Sequence, residues 1–511
     1  MSNTSTAGQL RRRLSLPDVI AQSVTVIAPG MSGAFLTYLA ATKAGGATPL
    51  AYVLAMLGAL AVGSVVSEFG KTMPSAGSLY TYTSAGLSKT AGFVLGWMYS
   101  IAFIILAGAV LAGFGFFMSL FLQDVTKSGS GTGDAFVPSF IPWWVFFIIG
   151  LVFVAAMSMF NVKVSTRTQL LLTAVSVVIM VVAAVAIIGK GSPATAVQHG
   201  KSIDLGAFWP KAAGIKWSGI LLGFAFGMLS FTGFEAGAVL AEETENPKRN
   251  IPKAVIGSVL VGGVFYILIT YATTIGFGVR ESAAAWPGSL SGLAAVAGNV
   301  SVGMGQLVLL AAAISALFCG LGVHTAASRF LFAMGRENVL PSMLGKTHRK
   351  WQTPWNAILI SLALYAVLIW GLLLATSTGT EVAFSGGDLA PPTALRGGFF
   401  TFAYWATLAT PAVMFCYFLV GLAGIKKGAA DGNQRLRIAG GLATITGAVA
   451  VFGSLYYSFK NLPTDPGYKG LLQLIPLVTL VLLVVGGGIA SYLKSSRKDA
   501  WANMGAVFDE G

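Results

Sequence analysis

Charge is scarce in this chain. Of 511 residues only 10% are Asp, Glu, Lys or Arg, while 55% are hydrophobic; a soluble domain of that length needs far more charge to keep its surface wet. Histidine is scarcer still, at 3 residues (His199, His324 and His348), and no His-Glu-x-x-His segment occurs. Metal ligands are therefore lacking, and neither a metal nor another cofactor is expected. The 2 cysteines, Cys319 and Cys416, both fall within apolar runs and imply no disulfide framework. No paired intramembrane carboxylates are present to run acid–base catalysis, which argues against an enzyme. A repeated filter sequence or a ring of charge, the marks of a channel, is also missing. No short apolar core with a small-residue cleavage site follows Arg11, Arg12 and Arg13, so a cleaved leader is not expected.

What the chain has instead is length without polarity. Twelve mostly apolar stretches, each near the 20 or so residues that span a bilayer, run at about 18–43, 47–68, 91–122, 142–160, 166–189, 217–241, 253–278, 303–330, 355–375, 398–424, 437–459 and 470–493. None alternates like a barrel strand, which leaves helices as the spanning solution. The 64 glycines suit helices that approach closely in lipid. A net charge of +14 forms no basic domain for nucleic acid, because the cations sit between apolar runs. With the N-terminus inside, 22 of the 32 Lys and Arg residues lie on the cytoplasmic side and 10 outside, which places both termini in the cytoplasm of a multi-pass inner-membrane protein. Cytoplasmic tails are expected at 1–17 and 499–511, flanking one transmembrane domain over 18–498. The outer connections 123–141, 190–216 and 376–397 read as surface loops.

Two of the stretches carry helix breakers at mid-depth. The first holds Ala28-Pro29-Gly30-Met31-Ser32-Gly33 and the sixth Ser230-Phe231-Thr232-Gly233-Phe234-Glu235. Pro removes an amide donor and Gly lowers the cost of leaving helical geometry. A separation of five helices fits two five-helix halves, about 18–189 and 217–424, related as inverted copies, with two further helices over 437–493. Paired breaks offer amides to a carboxylate and carbonyls to an ammonium, the two ends of a zwitterion.

Further residues carry a family resemblance. Pro74-Ser75-Ala76-Gly77-Ser78-Leu79-Tyr80-Thr81-Tyr82 follows the second stretch, then Gly96-Trp97. Gly233-Phe234-Glu235 leads into the run 242–253, and Arg329, Pro341 and Thr353-Pro354 follow the eighth stretch. This pattern resembles the amino acid–polyamine–organocation (APC) superfamily. The resemblance implies an all-α membrane fold of twelve helices in a 5+5 inverted repeat, with helices 1 and 6 broken, working by alternating access. It implies that Ser32 and Gly33 offer amides to a substrate carboxylate, that carbonyls near Ala28, Pro29, Leu229 and Thr232 receive an ammonium, and that Met31 and Gly233 border the same site. Phe231 and Phe234 are then the candidate aromatic gates. Met31 and Leu229 depart from common family residues. Ser176 stands where several members carry a lysine, so Ser176, Thr325 and Ser328 become candidates for an ion site, and either proton or sodium is the coupling ion.

Glu235, just beyond the second break, is the clearest ionisable residue at depth, where an unpaired charge is costly, and is the candidate proton carrier. His324 is a candidate relay or a packing residue, Glu68 an interfacial one, and Arg329 is expected to snorkel to the inner surface. Tyr404, Trp405 and Thr407 either touch the pocket or pack. Ion pairs within 242–253 are candidates to hold a gate shut. With no Lys or Arg facing the breaks, a small neutral amino acid is the expected substrate. An amine such as a polyamine or ethanolamine is the alternative, with exchange in place of symport also open. A receptor or channel is the alternative from another class.

Overall fold

Lipid offers backbone amides no partner, so a chain this apolar must satisfy them within helices. The computed structural model is accordingly helical nearly throughout the residues it describes: 14–126, 141–159, 162–190, 203–286, 289, 291–348, 351–377, 393–460 and 466–505. The three arginines at 11–13, His199, and residues 127–140, 191–202 and 378–392 of the outer connections lie outside the described residues.

Among the described residues, nine helical stretches are long and apolar enough to cross a membrane, and two shorter apolar helices accompany them. In chain order the helices used below are α1 (Leu16–Ile27), α2 (Pro29–Ala34), α3 (Leu36–Ala44), α4 (Thr48–Thr72), α5 (Leu79–Gly86), α6 (Lys89–Thr126), α7 (Trp143–Met159), α8 (Val162–Lys190) and α9 (Trp217–Phe231). They continue with α10 (Pro247–Phe277), α11 (Ser282–Ala285), α12 (Gly292–Val300), α13 (Val302–Arg336), α14 (Trp355–Ser377), α15 (Thr393–Ala430), α16 (Gln434–Lys460), α17 (Pro466–Ser496) and α18 (Lys498–Asn503).

Helices α6, α13 and α15 are the most enclosed of the spans, whereas α16 and α17 turn most of their surface outward. Large apolar residues on those outer faces, such as Phe452 at 72% and Val484 at 66% exposure, have the hydrocarbon of a bilayer as their solvent. The buried helices therefore surround the interior, and the peripheral pair shields them from one side.

One end of the bundle carries both described chain ends. Leu14 forms a parallel bridge with Thr244, its amide donating to Glu243 O at 3.0 Å and its carbonyl accepting from Glu245 N at 2.8 Å. The far end of the chain is also docked rather than free. Helix α18, straddling the expected tail boundary at 499, takes hydrogen bonds from Lys89 Nζ at its Trp501 and Ala502 carbonyls, and Gly505 N donates to Glu337 Oε2 at 3.0 Å. Tyr80 Oη donates to the same carboxylate oxygen. Burial pushes the Glu337 carboxyl up to about 7, against the opposing pull of the Tyr80 and Gly505 donors and of Arg336, with Glu242 adding a small push upward. A carboxyl whose pKa is raised by folding stabilises the folded state fully below its ordinary value of 4.5, and this contribution is lost as pH rises through 7. Glu337→Gln should therefore remove part of the fall in thermal midpoint between pH 5 and 8, on the order of 1–2 °C, read by parallel unfolding scans of both proteins in detergent.

Candidate functional site

Pro29 cannot donate a backbone hydrogen bond, and its ring disfavours helical geometry at the residue before it. Ala28 accordingly takes φ +51°, in the left-handed region, while Pro29 begins α2. A second discontinuity follows at Phe35, between α2 and α3. In the sixth predicted span, α9 stops at Phe231, and Gly233 takes φ +103° before a tight 3-10 turn over Phe234–Glu243. Both breaks stand where the glycines and proline placed them.

The two breaks touch. A Cβ built on Gly233 would lie 2.0 Å from Val26 Cγ1, so glycine is required there by contact as well as by conformation. Tyr266, from α10, ties them together: its hydroxyl lies 2.7 Å from Ile27 O and 3.0 Å from Ser230 O. Ser32 Oγ also donates to Ile27 O, at 3.0 Å, and Cys319 Sγ to Val26 O at 3.3 Å. The Ser32 amide donates to Ala28 O at 2.8 Å, and Leu229 O accepts from Thr232 N at 3.0 Å. These four backbone groups, three of them on expected substrate contacts, are thus engaged within the break or the helix.

A cavity of about 30 Å³ lies against the breaks, room for about two water molecules. Of the expected residues, Met31, Ser32, Leu229 and Thr232 line it. Ala28, Pro29, Gly33, Phe231 and Gly233 are buried but do not line it. Gly33 faces Phe265, with a built Cβ 3.2 Å from Cε1. Phe231 meets Tyr266 edge-on at 5.3 Å, and Phe234 lies 5.6 Å from Tyr417. A second aromatic group stands beside the cavity: Phe35 lies 4.5 Å from Phe402, which lines it, and 6.4–6.5 Å from Phe116 and Phe117. On helix α15 the cavity is met by Phe402 and Ala406 rather than by Tyr404, Trp405 or Thr407; the first two pack on each other at 5.6 Å, and Thr407 bonds Ala403 O.

Toward the chain ends, outside the cavity lining, lies a buried carboxyl. Glu235 is wholly enclosed; Tyr99 of α6 donates to its Oε1, Tyr417 of α15 lies 2.9 and 3.0 Å from its two oxygens, and Gly233 N donates to Oε2 at 3.3 Å. Tyr99 stacks at 4.0 Å on Phe103, which lines the cavity. One aromatic pair therefore separates the carboxyl from the space beside the breaks.

Beyond Glu235 lie two ion pairs. Arg329 Nε meets Glu243 Oε1 at 2.9 Å with both side chains at most 5% exposed. Arg336 grips Glu242 with two bonds of 2.7 Å, and Ala76 N donates to the same carboxylate at 3.0 Å. Arg329 therefore does not snorkel: a carboxylate within reach in the interior holds its guanidinium there. Glu68 pairs with exposed Lys71. His324 is buried against α14, its Nδ1 3.3 Å from Ser361 Oγ and its ring edge-on to Tyr365, off the cavity. Ser176 and Ser328 donate to Thr173 O and Thr325 O on their own helices, the usual recourse of a hydroxyl in an apolar helix. No bond joins Ser176 to Thr325 or Ser328 among the described residues. The hydroxyl pair that crosses from α1 to α8 is Thr25 with Thr173, at 3.2 Å. Among the described residues no His, Cys, Asp and Glu cluster suits a metal ion.

The sequence over residues 24–387 matches the amino acid permease family. The chain belongs to that family. It is a multi-pass membrane transporter and not an enzyme. The permease is 29% identical over 404 residues to the low-affinity putrescine importer PlaP of Escherichia coli, covering 76% of this chain and 82% of that one. It is 25% identical to the branched-chain amino acid permease BcaP of Bacillus subtilis (69% and 73% covered) and 23% identical to the glutamate/serine transporter AimA of the same organism (72% and 69%). In structure it resembles a manganese transporter of Eremococcus coleocola, with a TM-score of 0.55 over 98% of this chain and 99% of that one at 11% identity, a likeness of fold alone.

Proposed function

We propose that the permease moves a small neutral amino acid across the cell membrane by alternating access, coupled to protons. The observation that carries this reading is a cavity laid against two touching helix breaks with no ionisable Asp, Glu, Lys, Arg or His side chain in its lining. A zwitterion brings its own pair of charges, and backbone at a break can answer both. The donors are the amides of Gly30 and Met31, which the first turn of α2 leaves without intrahelical partners, in place of the engaged Ser32 amide. The acceptors are the carbonyls of Ile27 and Ser230, whose present donors are side-chain hydroxyls able to turn away.

In this reading the domain over 18–498 comprises inverted halves 18–189 and 217–424, with twelve spans and both termini cytoplasmic. Phe35 and Phe402 close the outer path. Glu235 with Tyr99 and Tyr417, then the Glu243–Arg329 and Glu242–Arg336 pairs, close the inner one. Glu235 carries the proton. A diamine is the second reading, favoured by the likeness to a putrescine importer. It leaves one ammonium without an anionic partner in the lining, a costly burial.

A ligand that binds the folded state raises its thermal midpoint by mass action. Scans of the purified permease with neutral, acidic and basic amino acids and with putrescine should show stabilisation by neutral amino acids. Ser32→Leu, which fills the cavity, should abolish it in a protein of otherwise normal stability. Stabilisation by putrescine alone overturns the neutral-substrate reading, and full affinity in Ser32→Leu removes the site from the breaks.

A further inference from the structure

Beyond the breaks themselves, the cavity wall draws on three further helix faces. Helix α6 supplies Phe103, Leu106 and Val110, spaced three and four residues apart; α13 supplies Cys319 and Val323, four apart; α15 supplies Phe402 and Ala406, also four apart. These spacings put each set on one side of its helix, so three faces converge on one space. Every one of these side chains is at most 7% exposed. The hydroxyls and the thiol beside the cavity point elsewhere: Ser32 to Ile27 O, Thr232 to Met228 O and Cys319 to Val26 O.

From this wall we infer that the substrate carries an aliphatic side chain, and that Ala406 is the residue that limits its size. The inference rests on the reading above, in which the α-ammonium and α-carboxylate sit at the breaks; the side chain then has only this wall to meet. An acidic, basic or diamine substrate would bury a second charge among Leu106, Val110 and Val323 with nothing to pair it, which costs several kcal/mol per ion. An aliphatic group gains affinity with each methylene it buries. Ring pairs stand at the two ends of the space, Phe35 tilted against Phe402 at 4.5 Å and Tyr99 stacked on Phe103 at 4.0 Å, so an aromatic substrate would have to push one of these pairs open. Ala406 is the smallest side chain on the wall, 1% exposed, and lies one helical turn from Phe402 on the same face. Enlarging it takes space from the substrate's side chain while leaving both breaks as they are.

Discrimination by one methylene in an apolar pocket amounts to about 10- to 200-fold. Competition binding to the purified permease should therefore rank leucine, isoleucine and valine at least about tenfold above alanine, with glutamate, lysine and putrescine ineffective at a large excess. Ala406→Leu should weaken leucine by about tenfold or more and alanine by less than about threefold. Ala406→Val serves if the larger variant does not stay monodisperse, with the same ordering expected. Equal weakening of alanine and leucine, or unchanged preference for leucine in a folded variant, overturns the role of Ala406. Serine or lysine binding as well as leucine overturns the aliphatic assignment while leaving a neutral or other amino acid site at the breaks. Absence of binding by every amino acid, with putrescine bound, overturns both this inference and the function it rests on.

Discussion

Glu235→Gln is expected to leave a folded permease that still exchanges substrate across a liposome membrane but no longer accumulates it when the outside is acidified. Three donors converge on the two oxygens of this buried carboxyl: Tyr99, Tyr417 and Gly233 N. Gln matches its volume, keeps one acceptor and cannot release a proton. The tyrosine hydroxyls can rotate to accept from the new amide, so packing between α6 and α15 should survive. Accumulation driven by a pH gradient should fall by about tenfold or more. Substrate exchange at equal pH on both sides, which needs no net proton movement, should change by less than about threefold. Uptake in Glu235→Gln with the pH dependence of the native protein would end the assignment of Glu235 as the proton carrier. In the proposed reading the stack of Tyr99 on Phe103 is the physical link, since a substrate that shifts Phe103 would also shift a donor to the carboxyl.

The largest stability effect should come from the ion pair next in line. Removing one partner of a buried pair strands the other charge, at a cost of about 3–5 kcal/mol. Arg329→Ala strands Glu243 where both side chains are at most 5% exposed. Arg336→Ala breaks a pair whose partners are 17% and 16% exposed, and water can replace more of what is lost, so its cost should lie nearer the roughly 1 kcal/mol of surface pairs. Thermal unfolding should therefore place Arg329→Ala well below Arg336→Ala. A double change of Arg329→Met with Glu243→Leu should recover much of the loss, because no unpaired charge remains. Equal losses from the two arginine variants would show that burial does not govern this pair.

The breaks were legible because proline and glycine act on their own backbone: Pro29 and Gly233 mark them without any knowledge of neighbours. Even there, which amides remain free depended on where α2 begins, and Ser32 proved engaged with Ala28 O. Glu235 was legible as an ionisable residue at depth, but its partners Tyr99 and Tyr417 are 136 and 182 residues away. The wall was not legible, since helices buried in a membrane protein are apolar on every side and the face turned to a cavity looks like the face turned to a neighbour. Arg329 is expected to snorkel to the inner surface because a cation near a helix end commonly reaches for water. Its actual partner, Glu243, lies 86 residues earlier in the chain. Phe231 and Phe234 are candidate gates by their nearness to the break. Phe35 and Phe402, proposed above as the outer closure, pair at 4.5 Å although they lie far apart in the sequence.

Uptake of radiolabelled leucine into liposomes holding the purified permease, with the outside at lower pH than the inside, tests the central claim most directly. The account predicts saturable accumulation that unlabelled isoleucine and valine suppress, that putrescine and glutamate do not, and that collapses when a protonophore removes the gradient. Saturable uptake of putrescine with none of any neutral amino acid would contradict it.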